Sequence, residues 1–301
     1  MKKTMLQTRG LTKQYGEFTA LDSVSLALNE GDIYGLIGRN GAGKTTFFKC
    51  VMGLARPTAG EIAIGGQANL HAARRRIGFM IGLSFYPYLN PKENLEYLCR
   101  VKGTRGKGEA DRLLKLVGLD GVKKPFKAFS MGMKQRLGIA GALLGSPPIV
   151  VLDEPINGLD PQGIIDMRTL ILDTHRQSCA TFIISSHILS ELDLVATRFG
   201  FIDHGVLVKE ITHDDLHEHT KKSLVVEVDD IAKARLVLQA ELGIKDAVID
   251  GNQMTLNTHL DEPNKIAHAL VSNGVELMEL RRRETTLEEY FVKLVGGGQD
   301  A

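Results

Sequence analysis

One glycine-rich segment of the sequence has the residue types needed to hold a polyphosphate. Residues 38–46 read GRNGAGKTT and fit the spacing G-x-x-x-x-G-K-T, between an apolar strand-like run and a helix-like run. Glycines in such a loop let backbone N–H groups turn inward, and the start of the following helix adds its positive end. Lys44 is then expected to reach the β- and γ-phosphates, and Thr45 to offer its hydroxyl to Mg²⁺. A chance glycine-rich turn is the alternative, which the flanking strand and helix disfavour.

A pair of carboxylates follows a second apolar run and could supply the metal ligand and the base of a hydrolysis reaction. The segment IVVLDEP (149–155) ends a predicted strand at Asp153, where the side chain can lie beside the phosphate loop and hold Mg²⁺ through water. Neighbours on a strand face opposite ways, so Glu154 is expected to point elsewhere and to orient and deprotonate an attacking water. A solvated acidic turn is the alternative, and the presence of the phosphate loop favours the catalytic interpretation.

Alternating strands and helices must position these residues. Continuous apolar runs predict buried parallel strands at 33–37, 77–81, 149–153, 181–185 and 198–203. Helical patterns lie between them at 44–54, 133–145 and 163–177. This order predicts an α/β fold with a mainly parallel sheet.

The carboxy-terminal part of the chain starts a new alternation. The polar stretch HDDLHEHTKK (213–222) predicts a solvated linker, and strand and helix patterns resume after it. A metal site at His213, His217 and His219 is the alternative, which the absence of a known ligand spacing disfavours. Their order (strand, helix, two strands, helix, strand, helix) predicts a small α+β domain with one helical layer on a sheet. We therefore place the first domain at 1–216 and the second at 222–301.

Composition excludes several classes of protein. The chain has 301 residues, with 37 Lys and Arg against 36 Asp and Glu and a formal net charge of +1. A general nucleic-acid-binding surface would need a basic excess, so we expect no nucleic-acid partner. No run approaches the ~18 consecutive apolar residues of a membrane-spanning helix, and the amino-terminal segment lacks the apolar core of a secretory signal. Three scattered cysteines (Cys50, Cys99 and Cys179) predict reduced thiols in the cytosol.

Further motifs make the sequence resemble the nucleotide-binding subunits of ABC transporters. Along residues 5–210, GRNGAGKTT resembles the Walker A motif and IVVLDEP resembles the Walker B motif. FSMGMKQR (129–136) resembles the ABC signature, NGLD (157–160) the D-loop, and SSH the segment that ends in the switch histidine, here His187. LTKQYG (11–16) resembles the segment whose aromatic residue stacks on adenine, here Tyr15. The resemblance implies a P-loop ATPase cassette with a helical subdomain at about 84–145.

The resemblance also implies a role for each matching residue. Glu154 and His187 are the expected catalytic residues, with His187 hydrogen-bonded to the γ-phosphate and positioning Glu154 and the water. Thr45 and Asp153 are the expected Mg²⁺ ligands. The expected ATP contacts are Tyr15, Gly38, Asn40, Gly41, Ala42, Gly43, Lys44, Thr45, Thr46, Ser130 and Gly132.

The sequence departs from the family pattern in two places. The signature is most often LSGGQ, and residues 129–133 of this chain read FSMGM. Ser130 and Gly132 keep the family residues, whereas Phe129, Met131 and Met133 replace the leucine, the first glycine and the glutamine. The family also places Gln or Glu at the end of the strand after Walker A, and counting from Ile77 puts Gly82 there. Glycine has no side chain to coordinate Mg²⁺ or contact the attacking water, so we assign no residue to that role.

A single cassette implies that one chain is half of a two-site motor. In the family, two subunits close head to tail on two ATP molecules, and Ser130 and Gly132 would complete the ATP site of the opposite subunit of a homodimer. Because the sequence has no membrane span, the resemblance implies a separate permease chain and a cytoplasmic position on the inner face of the cell membrane. The segment FYPYLN (85–90) either contacts that permease or forms a buried loop.

Three segments resemble one branch of the family, the bacitracin- and lantibiotic-type exporters of drugs and peptides. They are the signature form S-x-G-M-K-Q-R-L, NGLDPQG (157–163) and the carboxy-terminal TTLEEYFVKLVGG. The resemblance implies a drug, peptide or lipid-like cargo. Two other functions remain open: a soluble ABC ATPase acting on ribosomes or DNA, and a non-catalytic, nucleotide-gated interaction protein. The single cassette and balanced charge disfavour the first, and Glu154 and His187 disfavour the second.

Overall fold

The chain folds as two compact units. The computed structural model describes residues 3–66, 70–104, 108–219, 222–284 and 287–296. The units are Met1–His213 and Asp214–Ala301, so the division falls at the start of the polar stretch 213–222.

The first unit is a mixture of strands and helices. Its strands are β1 (Thr4–Tyr15), β2 (Phe18–Asn29), β3 (Ile33–Ile37), β4 (Ala59–Ile64), β5 (Ile77–Met80), β6 (Ile149–Asp153), β7 (Thr181–Ser186), β8 (Arg198–Asp203) and β9 (Val206–Thr212). Its helices are α1 (Lys44–Met52), α2 (Leu70–Arg74), α3 (Pro91–Lys102), α4 (Glu109–Leu116), a 3-10 helix (Phe126–Ala128), α5 (Met131–Leu143), α6 (Pro161–Ser178) and α7 (Leu189–Asp193).

A six-stranded sheet carries the chemistry. Its order is β5-β6-β7-β3-β8-β9, and all neighbours run parallel except β9, which is antiparallel to β8. The expected mainly parallel sheet is therefore confirmed, and every strand predicted from an apolar run is present. Since β3, β6 and β7 point the same way, the segments that follow them meet at one edge of the sheet.

A second, antiparallel sheet of order β2-β1-β4 was not predicted. Its strands alternate buried and exposed residues, with several register shifts, and so they lack the continuous apolar runs of the parallel strands. Apolar side chains from β1 and β2 join those of α1 and β3 in one core, in which Phe47 and Phe48 of α1 are fully buried. The first turns of α1 are therefore held in place by packing against this core.

Helices α3, α4 and α5 make up the region expected to form a helical subdomain. Helix α3 begins with a capping box, in which the Asn90 side chain accepts from the Glu93 N–H and the Glu93 carboxylate accepts from the Asn90 N–H. Helix α5 begins at Met131 with Ser130 as its N-cap and is mostly buried. Because α5 is buried on most sides, its sequence has no clear division into an apolar and a polar face. Its apolar residues still allow a helix to be predicted here.

The second unit is a compact α+β domain, as expected. Its strands are β10 (Lys222–Val228), β11 (Ala247–Asp250), β12 (Gln253–Leu256) and β13 (Leu277–Glu284), and its further helices are α9 (Ile231–Leu242), α10 (Pro263–Ser272) and α11 (Leu287–Gly296). The sheet is antiparallel with order β11-β12-β10-β13. Alternate residues of β10 pack with apolar residues of both α9 and α10, so these helices form one layer on one face of the sheet.

The stretch expected to be a solvated linker is helical over its first seven residues, and Asp214, Asp215 and His217 within it are exposed. The seven residues form helix α8 (His213–His219), and residues 220–221 lie outside the described part of the chain. Asp214 and Asp215 lie in the first turn, where carboxylates favour a helix, and Leu216 is buried. None of the helices within the described ranges combines the length and apolar character needed to span a bilayer.

Candidate functional site

The segment 38–46 forms a loop between β3 and α1 that only glycine can build at two of its positions. Gly41 and Gly43 have φ angles of 85° and 109°, which side-chain-bearing residues rarely adopt. A Cβ atom on Gly43 would lie 2.7 Å from the carbonyl oxygen of Ala20, and one on Gly38 would lie 2.4 Å from that of Ile202. The loop is therefore packed against neighbouring backbone, and it leads directly into the amino-terminal end of α1.

Lys44 folds back over this loop. Its Nζ donates to the carbonyl oxygens of Gly38 and Arg39, at 2.6 and 3.2 Å. The same Nζ lies 3.1 Å from Oε1 of Glu154. The side chain is 6% exposed, so its charge lies in a largely desolvated place. A lysine held in this way places a positive charge at the mouth of an anion-binding loop.

Thr45 and Asp153 form the part of the site suited to a divalent cation. Thr45 Oγ1 donates to Asp153 Oδ2 at 2.8 Å, which joins the start of α1 to the end of β6. The other oxygen of Asp153 accepts from the Ser185 hydroxyl at 2.6 Å, from the neighbouring strand β7. A carboxylate and a hydroxyl at this distance are hard oxygen donors, and they fit Mg²⁺ bound next to a phosphate. Thr45 and Asp153 are thus the residues that would hold the ion.

Glu154 adopts a left-handed backbone conformation immediately after β6, with φ of 50°. We expected strand alternation to turn Glu154 away from Asp153, but β6 ends at Asp153. The left-handed backbone, and not strand alternation, therefore sets the direction of the Glu154 side chain. Its backbone N–H donates to Ser185 Oγ at 2.9 Å, which helps to hold this uncommon conformation. Its Oε2 lies 2.9 Å from Nδ1 of His187, which follows β7. Glu154 thus lies between the cation of Lys44 and the imidazole of His187.

A cavity of about 300 Å³ opens above the loop and is the natural place for a nucleotide. It is lined by Phe18, Ala20, Arg39, Asn40, Gly41, Ala42, Gly43, Lys44, Thr45, Thr46 and Glu154. The structure thus brings the loop residues and Glu154 together. Tyr15, the expected adenine-stacking residue, is absent from this lining, and the Nζ of Lys13 lies over its ring, 4.5 Å from the centroid.

Ser130 and Gly132 lie in a different cleft of about 470 Å³, together with residues of the D-loop and the start of α6. Ser130 caps helix α5 by accepting from the Met133 N–H at 3.4 Å. Gln135, which is buried, donates through Nε2 to the Asn157 carbonyl at 2.7 Å, and so joins the signature helix to the D-loop. Within one chain, the structure does not bring Ser130 and Gly132 to the lining of the phosphate cavity.

Gly82 and the segment 85–90 both lie at the surface, in the chain that follows β5. Gly82 lies in an exposed bend after β5 with φ of 69°, and nothing lies within 4 Å of where its Cβ would be. The segment 85–90 is not a buried loop, because Tyr86 and Tyr88 are 49% and 76% exposed. Beside it is an open cleft of about 500 Å³, lined by Ser84, Phe85, Tyr86, Asn94, Tyr97 and Leu98.

Phe18 and Gln135 are site residues that sequence reasoning missed. Phe18 lies outside every recognised motif. The only sequence signal for it is that it lies three residues after Tyr15, across a turn. Gln135 belongs to the signature segment, but its role depends on which carbonyl it reaches across the fold.

Known proteins are similar to this chain over most of its length. A family model described as ABC transporter matches residues 21–157. The chain is similar to the bacitracin transport ATP-binding protein BcrA of Bacillus licheniformis, with 40% identity over 301 aligned residues that span 98% of each chain. It is also similar to the lantibiotic transport ATP-binding protein SrtF of Streptococcus pyogenes, with 41% identity over 70% of this chain and 92% of that protein.

Solved structures show the same cassette. An ATP-binding subunit of an ABC transporter matches with a TM-score of 0.62 at 29% identity, over 71% of this chain and 92% of that one. The cassette MJ0796, solved as a dimer in a post-hydrolysis state bound to ADP and Pi, matches with a TM-score of 0.62 at 25% identity, over 69% of this chain and 99% of that one. The fold and the phosphate site define an ATP-binding cassette ATPase. The chain belongs to the family of ATP-binding subunits of ABC transporters.

Proposed function

We propose that this subunit hydrolyses ATP to drive a separate membrane permease that exports a drug, a peptide or a lipid-like compound. The observation that carries the hydrolytic part is the position of Glu154, whose two oxygens lie 3.1 Å from Lys44 Nζ and 2.9 Å from His187 Nδ1. The export part is supported by relatives named for bacitracin and lantibiotic transport, which match this chain over 98% and 70% of its length.

In the proposed reaction, backbone N–H groups of the loop and Lys44 bind the phosphates of ATP. A Mg²⁺ ion held by Thr45 and Asp153 would neutralise charge on the β- and γ-phosphates. Glu154 accepts a proton from the attacking water, and His187 holds the Glu154 carboxylate and contacts the γ-phosphate. The Nζ of Lys44 already has three oxygen neighbours, which are the carbonyl oxygens of Gly38 and Arg39 and Oε1 of Glu154, so a phosphate oxygen that accepts from Nζ would displace one of them.

We infer that two copies of the subunit close on two ATP molecules. Ser130 and Gly132 line a cleft of their own, so a second chain is needed to bring them to an ATP molecule bound at the phosphate loop. The similar cassette MJ0796 was solved as a dimer. In the pair, each ATP would contact both subunits, so loss of the γ-phosphate on hydrolysis would release the closed state.

The permease is proposed to dock at the cleft beside the segment 85–90. Tyr86, Tyr88 and Tyr97 are exposed there, and exposed aromatic groups around a cleft are typical of interaction sites. Such docking would place the subunit in the cytoplasm, at the inner face of the membrane. The small second unit, at 222–301 in our proposed division, would be an accessory domain of this assembly.

Affinity purification from native membranes tests the proposal as a whole. A tagged chain is extracted with detergent, and co-purifying proteins are identified and quantified by mass spectrometry. A multi-span membrane protein at near one-to-one stoichiometry is expected, and ribosomal or DNA-bound partners without any membrane protein would overturn the exporter proposal. The double variant Tyr86→Ala, Tyr88→Ala should recover much less permease, whereas Leu236→Ala, an exposed apolar residue on α9 of the second unit, should recover the normal amount.

Phosphate release by the purified chain tests the hydrolytic part separately. Wild type is expected to release phosphate from ATP. The Lys44→Ala variant should bind ATP more weakly, because it lacks the buried ammonium group at the loop. Unchanged affinity of the Lys44→Ala variant would contradict the assignment of the loop.

A further inference from the structure

The Ser185 hydroxyl joins the proposed Mg²⁺ ligand to the proposed base. Its Oγ donates to Asp153 Oδ1 at 2.6 Å and accepts from the Glu154 backbone N–H at 2.9 Å. A hydroxyl carries one proton, so the bond to the Asp153 carboxylate uses that proton and a lone pair accepts the amide. Ser185 is fully buried on β7, and water therefore does not compete for either bond.

The register of the parallel sheet places Ser185 beside the end of β6. Asp153 and Ser185 are direct partners in the ladder between β6 and β7, and Glu154 is the first residue after β6. The two oxygens of Asp153 accept from different elements, Oδ1 from Ser185 and Oδ2 from Thr45 at the start of α1. Together these two bonds fix the orientation of the carboxylate that would hold Mg²⁺.

The same hydroxyl supports the backbone of Glu154. This residue has φ of 50°, a left-handed conformation that residues with a side chain rarely adopt. Ser185 accepts from its N–H, and its carbonyl oxygen accepts from the Asn157 N–H at 3.2 Å. The Glu154 carboxylate lies 2.9 Å from Nδ1 of His187, which is two residues after Ser185. The end of β7 therefore contacts Glu154 at both its backbone and its carboxylate.

We propose that Ser185 is a positioning residue for hydrolysis, which fixes the Mg²⁺ ligand and the base relative to each other through one hydroxyl. The inference rests on the proposed roles of Asp153 and Glu154. Without the hydroxyl, Asp153 would lose the donor to Oδ1, and the Glu154 N–H would lose its acceptor. Both residues would then be less well oriented, although each would keep its own carboxylate.

Ser185→Ala removes the hydroxyl and changes the size of the side chain very little. Phosphate release at saturating Mg²⁺ should fall by about 10- to 100-fold, the range typical of groups that orient a metal ligand. A fluorescent ATP analogue should bind in EDTA with a Kd within about twofold of the wild-type value, because the loop and Lys44 are intact. The Mg²⁺ concentration that half-saturates the fluorescence change of the bound analogue should rise about tenfold.

A double-mutant cycle with Glu154→Gln distinguishes positioning from a general loss of structure. If Ser185 acts on turnover through Glu154, adding Ser185→Ala to Glu154→Gln should lower the residual phosphate release by less than about threefold at saturating Mg²⁺. The Mg²⁺ concentration needed by the bound analogue should still rise, because that effect passes through Asp153. A merely structural defect would lower phosphate release by the same factor in both backgrounds.

Thr181→Val is the matched control. Thr181 is also a buried hydroxyl residue of β7, but its Oγ1 contacts backbone groups of Asn29 and Gly31 at the start of the strand. This variant should keep the wild-type turnover and Mg²⁺ requirement. Ser185→Cys keeps a weak donor and acceptor, so its values should lie between those of wild type and Ser185→Ala. It also serves as the test variant if Ser185→Ala does not bind the analogue.

The contrary outcomes are distinct. Near-normal turnover of Ser185→Ala, or equal losses in the wild-type and Glu154→Gln backgrounds, would overturn the positioning role. Loss of turnover with an unchanged Mg²⁺ requirement would assign Ser185 to Glu154 alone and overturn the joint role. Loss of analogue binding by both Ser185 variants would make Ser185 a structural residue. Failure of the wild-type chain to release phosphate from ATP with Mg²⁺ would instead overturn the proposed function itself.

Discussion

Lys44 and Glu154 form a close ion pair, with Nζ 3.1 Å from Oε1. Their side chains are 6% and 19% exposed, so solvent and salt screen the pair less than they screen ion pairs at the surface. The pair joins the residue that would bind the γ-phosphate to the residue that would activate water. The Glu154 carboxylate is one of three oxygen groups around the Lys44 ammonium group, and it is the charged one with which an arriving phosphate would compete.

Replacing Glu154 with glutamine should separate binding from hydrolysis. Glutamine keeps the shape of the side chain but cannot accept the proton of water, so phosphate release should fall by about 10²- to 10⁴-fold. ATP affinity should be maintained or increased, because the negative charge that competes for Lys44 is lost. Steady-state phosphate release and titration with a fluorescent ATP analogue measure the two effects. A variant with near-normal turnover would remove Glu154 as the base.

His187 is expected to act through Glu154. Its Nδ1 lies 2.9 Å from Glu154 Oε2, so His187→Ala removes the group that holds the carboxylate in place. Phosphate release should fall by about a hundredfold or more, while ATP affinity changes less than turnover does, because the loop backbone and Lys44 would still hold the phosphates. The matched control is His204→Ala, another histidine next to an acidic residue but strongly exposed. Equal turnover in the His187 and His204 variants would contradict this role.

Asp153 is expected to set the requirement for Mg²⁺. It accepts from Thr45 and Ser185, and Asp153→Asn keeps the size of the side chain but removes its charge. The variant should need about tenfold more Mg²⁺ for half-maximal phosphate release, and chelation with EDTA should abolish the activity of wild type. A Mg²⁺ titration of activity makes the comparison. An unchanged Mg²⁺ requirement would show that Asp153 does not contribute to the ion site.

Gln135 is expected to couple the signature helix to the D-loop. Its Nε2 donates to the Asn157 carbonyl at 2.7 Å, and the Asn157 N–H donates in turn to the Glu154 carbonyl at 3.2 Å. Gln135→Leu removes the donor, so ATP-dependent dimerisation of a Glu154→Gln chain should weaken about tenfold, while binding of ATP to the monomer is unchanged. Gln177→Leu, which removes an exposed glutamine near the other end of α6 and away from the cleft of Ser130, is the control. Size-exclusion chromatography with ATP measures dimerisation, and equal behaviour of the two variants would refute the coupling.

The cysteines should differ sharply in reactivity. Burial in the core of the first unit raises the pKa of the Cys50 thiol, whereas Cys179 is exposed. Because the thiolate is the reactive form, iodoacetamide at pH 8 should modify Cys179 quickly and leave Cys50 unmodified until the chain unfolds, as read by mass spectrometry. The unfolded state releases the Cys50 proton at lower pH than the folded state does, so this residue should make the free energy of unfolding fall as pH rises above the ordinary thiol range. Rapid labelling of Cys50 in the folded chain would contradict its burial.

Particular residues show what sequence reasoning can reach in this protein. Lys44, Thr45 and Asp153 are predicted from local patterns, because a glycine loop before a helix and a carboxylate after a buried strand are set by neighbours in the chain. The parallel sheet was predicted from continuous apolar runs for the same reason. The antiparallel sheet was missed, because its half-exposed strands have no such run.

The sequence by itself determined the motifs, their order and the class of protein, because each of these depends on residue types at short spacing. Only the tertiary structure decided which residues meet. It placed Glu154 between Lys44 and His187 through a left-handed backbone that a strand pattern does not predict. It also placed Phe18 at the phosphate cavity, and Ser130 in a separate cleft. These relationships join segments that are far apart in the chain, and they follow from the packing of the strands and helices between them.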